Sequence, residues 1–323
     1  MRKFFVLTLC MLMILPAVLT GCGGAAAVKF GAGVYVGAPS VTDASDDAEG
    51  SGKLDVTAAA VTVDADGKIT ACALDTASST VKFTADGKAV ANGEFKTKYE
   101  TGADYNMVAY GGAVKEWFEQ ADAFEALVVG KTLSEVKALV ADGNKGNDEV
   151  ISAGCTIMIH EFVGAIEKAY NAANAEVSAD AVLKVNIATE QTCTDATDEK
   201  DGTNKIAVNV FAAATDASGK ILAASSDCAE ASFTFTANGA STLDTTKAIA
   251  TKKEQGTNYG MVAYGGSAKE WFEQAAAFDA ACVGKATSEI AGLAGADGKA
   301  VSDLQAAGCT IDITGFIKAA TRH

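Results

Sequence analysis

Residues 105–131, YNMVAYGGAVKEWFEQADAFEALVVGK, return as residues 259–285, YGMVAYGGSAKEWFEQAAAFDAACVGK. With their upstream flanks, 97–131 align on 251–285 without a gap at 24 identical positions of 35, more than shared helix propensity produces. The offset is 154 residues, and it also carries Ala153-Gly154-Cys155-Thr156-Ile157 onto Ala307-Gly308-Cys309-Thr310-Ile311. Further upstream it is 152, placing Asp66-Gly67-Lys68-Ile69 on Ser218-Gly219-Lys220-Ile221. A repeat this long is large enough to bury a core of its own, unlike a solenoid unit that depends on its neighbours. The chain is therefore expected to divide into a leader, 1–22, a first repeat, 23–174, and a second, 175–323. No Pro-rich or Ser-rich linker separates the repeats near 174–179, so the halves are expected to touch.

Within the first repeat, Gly31-Ala32-Gly33-Val34-Tyr35-Val36-Gly37 reads as a short opening strand, and 43–50 as an acidic loop. Segments 54–63 and 69–75 flank Asp66-Gly67, a dipeptide suited to tight hairpins, and 81–84 reads as a further strand before Asp86-Gly87. After Gly111-Gly112 the apolar period becomes helical, with Val114, Trp117, Ala121, Phe124 and Val128 on one stripe. Thr132 and Glu135 have the spacing of a capping box for a second helix through Val140, and Ala286 removes that cap in the other copy. Residues 156–159 read as a brief strand and 161–173 as a closing helix. The expected fold class is α+β: two tandem repeats, each an antiparallel β-meander packed with two or three helices.

The leader has a basic start at Arg2 and Lys3, an apolar run at 4–19 too short for a comfortable membrane span, and then Leu19-Thr20-Gly21-Cys22. That tetrapeptide resembles the bacterial lipobox, which makes Cys22 the expected lipidation site and the cell membrane, on its extracytoplasmic side, the expected location. Loss of Arg2 and Lys3 takes the formal net charge from −15 to −17. So acidic a surface argues against nucleic acid as a partner and leaves the membrane, reached through the lipid, as the expected one. His160 and His323 have no counterparts in each other's repeat, so no metal site is expected. The segment 142–149 lacks the Gly and the closing Glu of a calcium loop and reads as a solvated turn. Cys193 and Cys228 lie in one repeat and suit a disulfide; the alternative is buried thiols packed as small apolar groups.

No catalytic residue is assigned. A Ser–His or Cys–His arrangement cannot exist in both copies with one unrepeated internal histidine, since Gly315 is near Cys309 where His160 and Glu161 follow Cys155. No phosphate-binding loop or dinucleotide fingerprint stands between a strand and a helix. In the Tyr-x-Met-Val-Ala-Tyr-Gly-Gly segment two readings stand. Tyr110, Gly112 and Lys115, with Tyr264, Gly266 and Lys269, form a ligand face in which tyrosine stacks, glycine amides meet a phosphate and lysine pairs with it. Otherwise the glycines only turn the chain and the aromatic residues fill core, the role expected of Met107 and Trp117.

The order of Gly-x-Tyr-x-Gly, a meander with a DGKI turn, a Trp-Phe helix ending in Gly-Lys, Ala-Gly-Cys-Thr-Ile and a closing helix resembles FMN-binding domains. Such domains occur in flavin-bearing subunits of membrane electron-transport complexes and in surface flavoproteins. Their Ser-Gly-Ala-Thr motif carries FMN as a phosphoester on threonine. The resemblance implies FMN at Thr156 and Thr310, with Gly154 and Gly308 as the motif glycines and a redox protein or small molecule as partner. Ala153 and Ala307 replace the serine, Cys155 and Cys309 the alanine, and the upstream acids Asp148 and Asp303 are displaced from the family's spacing. The other reading of Ala-Gly-Cys-Thr-Ile is a buried strand in which glycine admits close backbone approach. The functional expectation is a membrane-anchored extracytoplasmic binding lipoprotein carrying flavin for electron transfer, with a ligand-free surface or adhesion protein as the alternative.

Overall fold

The structure, a computed structural model, describes residues 27–322; the leader and Cys22 lie outside the described residues. The chain is α+β. The first half runs β1 (Ala27–Val36), β2 (Ser40–Thr42), β3 (Gly50–Val63), β4 (Ile69–Phe83), β5 (Ala89–Val90), α1 (Lys98–Thr101), α2 (Trp117–Val128), α3 (Leu133–Lys137), α4 (Asp148–Ala153) and α5 (His160–Asn171). There follow β6 (Ala175–Ser178), β7 (Val182–Thr194), β8 (Gly202–Thr215), β9 (Ile221–Phe235), α6 (Lys252–Gln255), α7 (Trp271–Cys282), α8 (Ser302–Ala306) and α9 (Thr314–Ala320).

Two antiparallel sheets form, one in the order β5-β4-β3-β1-β6 with β2 also on β3, the other β7-β8-β9. Their long hairpins turn on an aspartate. Asp64 Oδ1 accepts the amides of Asp66 at 2.9 Å and Lys68 at 2.8 Å, and Asp216 Oδ1 accepts those of Ser218 at 2.8 Å and Lys220 at 3.0 Å. The sheets pack face to face: Val34, Leu54, Val56 and Val81 meet Ile187, Ile206, Val208 and Phe233 in one apolar cluster. The outer face of the first sheet is covered by α2 and α5, and that of the second by α7 and α9. Helix α5 lies close on β1 because β1 offers glycine there; a Cβ on Gly33 would stand 2.3 Å from the Ala169 nitrogen. The layers thus run helix, sheet, sheet, helix. Strand β3 is buried on both faces from Val56 to Val63, which its run of alanine and valine accommodates.

The halves share this inter-sheet core, and β6 at the start of the second half pairs with β1 of the first, Val28 opposite Val177. Several of their polar contacts come in reciprocal pairs. Arg322 meets Glu100 while Lys168 Nζ lies 2.5 Å from Glu254; the Ala89 amide donates to Asp195 at 2.9 Å while the Ser241 amide donates to Asp43 at 2.7 Å. Phe83 and Phe235 stack where the two halves meet, their ring centroids 4.5 Å apart and the planes 1° from parallel. This is the self-complementary pattern of an isologous dimer, contained in one chain.

Five expectations change. The opening strand begins at Ala27, and 81–84 is no separate strand, because β4 runs unbroken to Phe83. Val114 is off the helical stripe and 95% exposed. Helix α2 starts only at Trp117, since the Glu116 carboxylate holds the preceding loop by accepting the amides of Met107 at 2.9 Å and Val108 at 3.1 Å. Residues 156–159 make an isolated bridge between Met158 and Lys145 rather than a strand, because α4 and α5 leave only a tight corner between them. Cys193 and Cys228 are free thiols. They lie opposite Asn204 and Asn209 on the two flanks of β8, two strand spacings (~10 Å) apart across the sheet and a further ~17 Å apart along it, beyond the reach of a disulfide.

Candidate functional site

The corner that bears Thr156 is set by the end of α4. Asn147 caps that helix, its side chain accepting the amides of Glu149 at 3.0 Å and Val150 at 3.2 Å. Gly154 ends it in the left-handed region, φ 101°, and its amide donates to Ile151 while that of Cys155 donates to Val150. Cys155 is fully buried in the core beneath, and burial pushes its thiol up to about 11, as it does Cys309; neither is a thiolate nucleophile near neutral pH. Thr156, the next residue, is exposed, as is Thr310.

One buried glutamine ties this corner to the loop ahead of α2. Gln120 Oε1 accepts both the Thr156 amide at 2.8 Å and the Thr156 hydroxyl at 3.1 Å, while its Nε2 donates to the Lys115 carbonyl at 2.9 Å. Gln274 repeats this with Thr310 at 2.8 and 3.1 Å, and its Nε2 donates to Ser267 Oγ and to the Lys269 carbonyl, both at 3.0 Å. The lysine side chains arrive over the glycines. A Cβ on Gly154 would stand 2.3 Å from Lys115 Nζ, and one on Gly308 2.2 Å from Lys269 Nζ, so the absence of a side chain makes room for the ammonium. Lys269 Nζ also donates to the Ala307 carbonyl at 3.0 Å, at the C-terminal end of α8.

The structure therefore brings together Gly154, Thr156 and Lys115, and likewise Gly308, Thr310 and Lys269. Tyr110 and Gly112 stand apart from that contact. They lie on a loop fixed by its own backbone, with the amides of Tyr110 and Gly111 donating to Asn106 and that of Ala113 to Met107. Tyr110 is 88% exposed and Tyr264 92% exposed; neither fills core. Gly112 and Gly266 have positive φ, and a Cβ on either would meet nothing within 4 Å. His160 packs edge-on against Tyr35 at 6.0 Å with Nδ1 buried and unpartnered.

Chemically, each corner presents a threonine hydroxyl with its proton directed to an amide oxygen, and a cation over the glycine two residues before it. That arrangement suits a phosphoester or a bound phosphate. It contains no base able to deprotonate the hydroxyl, so esterification would depend on another protein. Thr156, Thr310 and Tyr110 line none of five cavities of 280 to 500 Å³ found elsewhere among the described residues. The attachment end of FMN fits these residues, while its ring would lie on the outer surface.

Gln120 and Gln274 are absent from the expected site, although a signal for them exists. Each is a polar residue on the buried face of its helix, beside Trp117 and Phe124 or Trp271 and Phe278, and a buried amide needs partners. Replacing Gln120 by leucine is expected to cost about 1–3 kcal/mol by stranding the Thr156 amide and the Lys115 carbonyl. Faster exchange of the Thr156 amide hydrogen in NMR would accompany it, and unchanged protection there would contradict the tie.

Compared with known proteins, the chain matches no family model, no curated protein and no solved structure. Among the described residues no helix is long and apolar enough to cross a membrane.

Proposed function

We propose that the protein is a membrane-anchored extracytoplasmic binding lipoprotein whose two Gly-Cys-Thr corners carry a phosphate-bearing ligand, flavin mononucleotide being the first to test. The observation that carries the reading is the Thr–Gln–Lys constellation, present in both halves with matching hydrogen-bond lengths and an exposed threonine in each. Thr156 and Thr310 would hold the phosphate, with Lys115 and Lys269 offsetting its charge. A bound flavin would supply one- and two-electron transfer, making the protein an electron carrier. The chain's part is to present the hydroxyl, fix it through glutamine and anchor the whole through Cys22.

The ligand-free surface protein is the second reading, favoured by the position of both threonines outside those five cavities. Expression in a flavin-replete host with and without the flavin transferase separates the two. The first reading expects yellow protein only with the transferase, colour that survives denaturation, and release from the membrane fraction by Cys22→Ala. Colourless protein from the transferase-bearing host supports the second.

A further inference from the structure

The two halves differ in the charges around one pair of buried acids: Lys253 of the second half is matched by Tyr99, and Asp122 of the first half by Ala276. In the second half Asp227 is buried and accepts the amides of Cys228 at 2.8 Å and Lys253 at 3.2 Å. Asp279 is buried beside it and accepts the Ser226 hydroxyl at 2.6 Å. The Lys253 ammonium, held by Ser225 Oγ at 2.9 Å, lines the same cavity as Asp279 and opposes the rise that burial imposes on both acids. In the first half Asp75 accepts the amides of Thr76 at 2.7 Å and Tyr99 at 3.4 Å, and Glu125 stands where Asp279 does. The lysine is replaced by Tyr99. Its hydroxyl donates to Asp122 at 2.5 Å and, more distantly, to Glu125 at 3.4 Å.

The first half therefore keeps the acid pair and lacks the cation. A cavity of about 390 Å³ opens there at the seam between the halves, with Leu74, Val185 and Ile187 among its apolar lining and Asp75, Glu125 and Tyr99 among its polar lining. The other charged groups facing it are Asp122, Glu100 and Arg322. Arg322 is engaged by Glu100, Glu94 and the Phe95 carbonyl. Burial above all, helped by the negative charge of Glu100 on Asp75 and of Asp122 and Asp75 on Glu125, pushes both carboxyls up to about 7. Among the described residues no group of acids is arranged to hold a metal ion, and the cavity's walls are partly apolar, so an organic cation suits it better than an inorganic one.

We propose that this seam cavity binds an organic primary ammonium, whose charge takes beside Asp75 and Glu125 the place that the Lys253 side chain occupies in the second half. The alkyl body of the ligand lies against Leu74, Val185 and Ile187. Binding strengthens from pH 6 to pH 8, where both carboxyls become ionised and the amine remains protonated.

Calorimetric titration of the mature full chain with n-pentylamine, n-pentanol and calcium tests the site. Saturable binding of pentylamine at one site per chain is expected, with at least tenfold weaker binding of pentanol and of calcium. Tyr99→Lys, which copies the second half, is expected to abolish pentylamine binding while remaining folded by circular dichroism. Lys253→Tyr, the reverse exchange, is expected to raise the stoichiometry from one to two. Absence of pentylamine binding, equal binding of amine and alcohol, tighter binding of calcium, or undiminished amine binding by folded Tyr99→Lys would each overturn the proposal.

Discussion

Phe233→Ala is expected to lower the unfolding free energy by about 3–5 kcal/mol, the range for truncating a fully buried aromatic residue. Phe233 is wholly buried on β9, yet its ring presses on the other half: a Cβ on Gly52 of β3 would stand 2.2 Å from its Cδ1. The cavity left would open in the inter-sheet core, which neither half completes alone. One substitution in the second half should therefore weaken the first by the same amount. The two tryptophans report on the halves separately, because Trp117 lies in the helical layer of the first and Trp271 in that of the second. In urea, single-tryptophan variants should give coincident transitions, both shifted to lower denaturant by Phe233→Ala. A Trp117 transition that stays put would show that each half unfolds independently.

Asp75→Asn combined with Glu125→Gln is expected to stabilise the protein at pH 8 and to do little at pH 4. Both carboxyls are raised to about 7 by burial and by neighbouring negative charge, from ordinary values of 3.8 and 4.5. Between about pH 4 and pH 7 the folded chain then holds protons that the unfolded chain has released. Stability falls as pH rises through that window and stays low above it. The gain at pH 8 is on the order of 4 kcal/mol for Asp75 and about 3 kcal/mol for Glu125, upper figures because local relaxation and water entry reduce them. The amides keep the oxygen acceptors that serve the Thr76 and Leu74 amides. Urea midpoints at the two pH values decide the matter, and an equal or lower midpoint for the double variant at pH 8 would contradict it. The second half should respond less to the matching pair, Asp227→Asn with Asp279→Asn, because Lys253 already offsets those charges.

Much of the fold was legible from local chemistry. The aspartate-led turns, the β-branched strands and the helical stripe from Trp117 to Val128 each follow from residues close in sequence. What spans the halves was not. Periodicity marks a buried face without saying what covers it, so a repeat long enough to bury its own core gives no warning that its second face lies on its copy. The continuously buried Ala58-Ala59-Ala60-Val61 of β3 was the available sign, since such a run suits a strand covered on both sides. Val114 was misread because extending a 3.6-residue stripe backwards ignores the cap: Glu116 spends its carboxylate on loop amides and fixes where the helix begins. The Ala-Gly-Cys-Thr corner misled in another way. Its apolar composition suits a strand, but the left-handed glycine serves to end a helix and turn Thr156 outward. Lys115 and Thr156 are 41 positions apart in sequence, and the buried Gln120 that joins them became visible only with the tertiary structure.

The proposal that these corners carry a ligand is tested most directly by the intact mass of the mature protein from a flavin-replete host possessing the transferase. Two flavin mononucleotide additions per chain are predicted, with one lost in Thr156→Ala, one in Thr310→Ala and both in the double variant. An unmodified mass for the parent protein, from cells whose transferase flavinylates a control substrate, would contradict it.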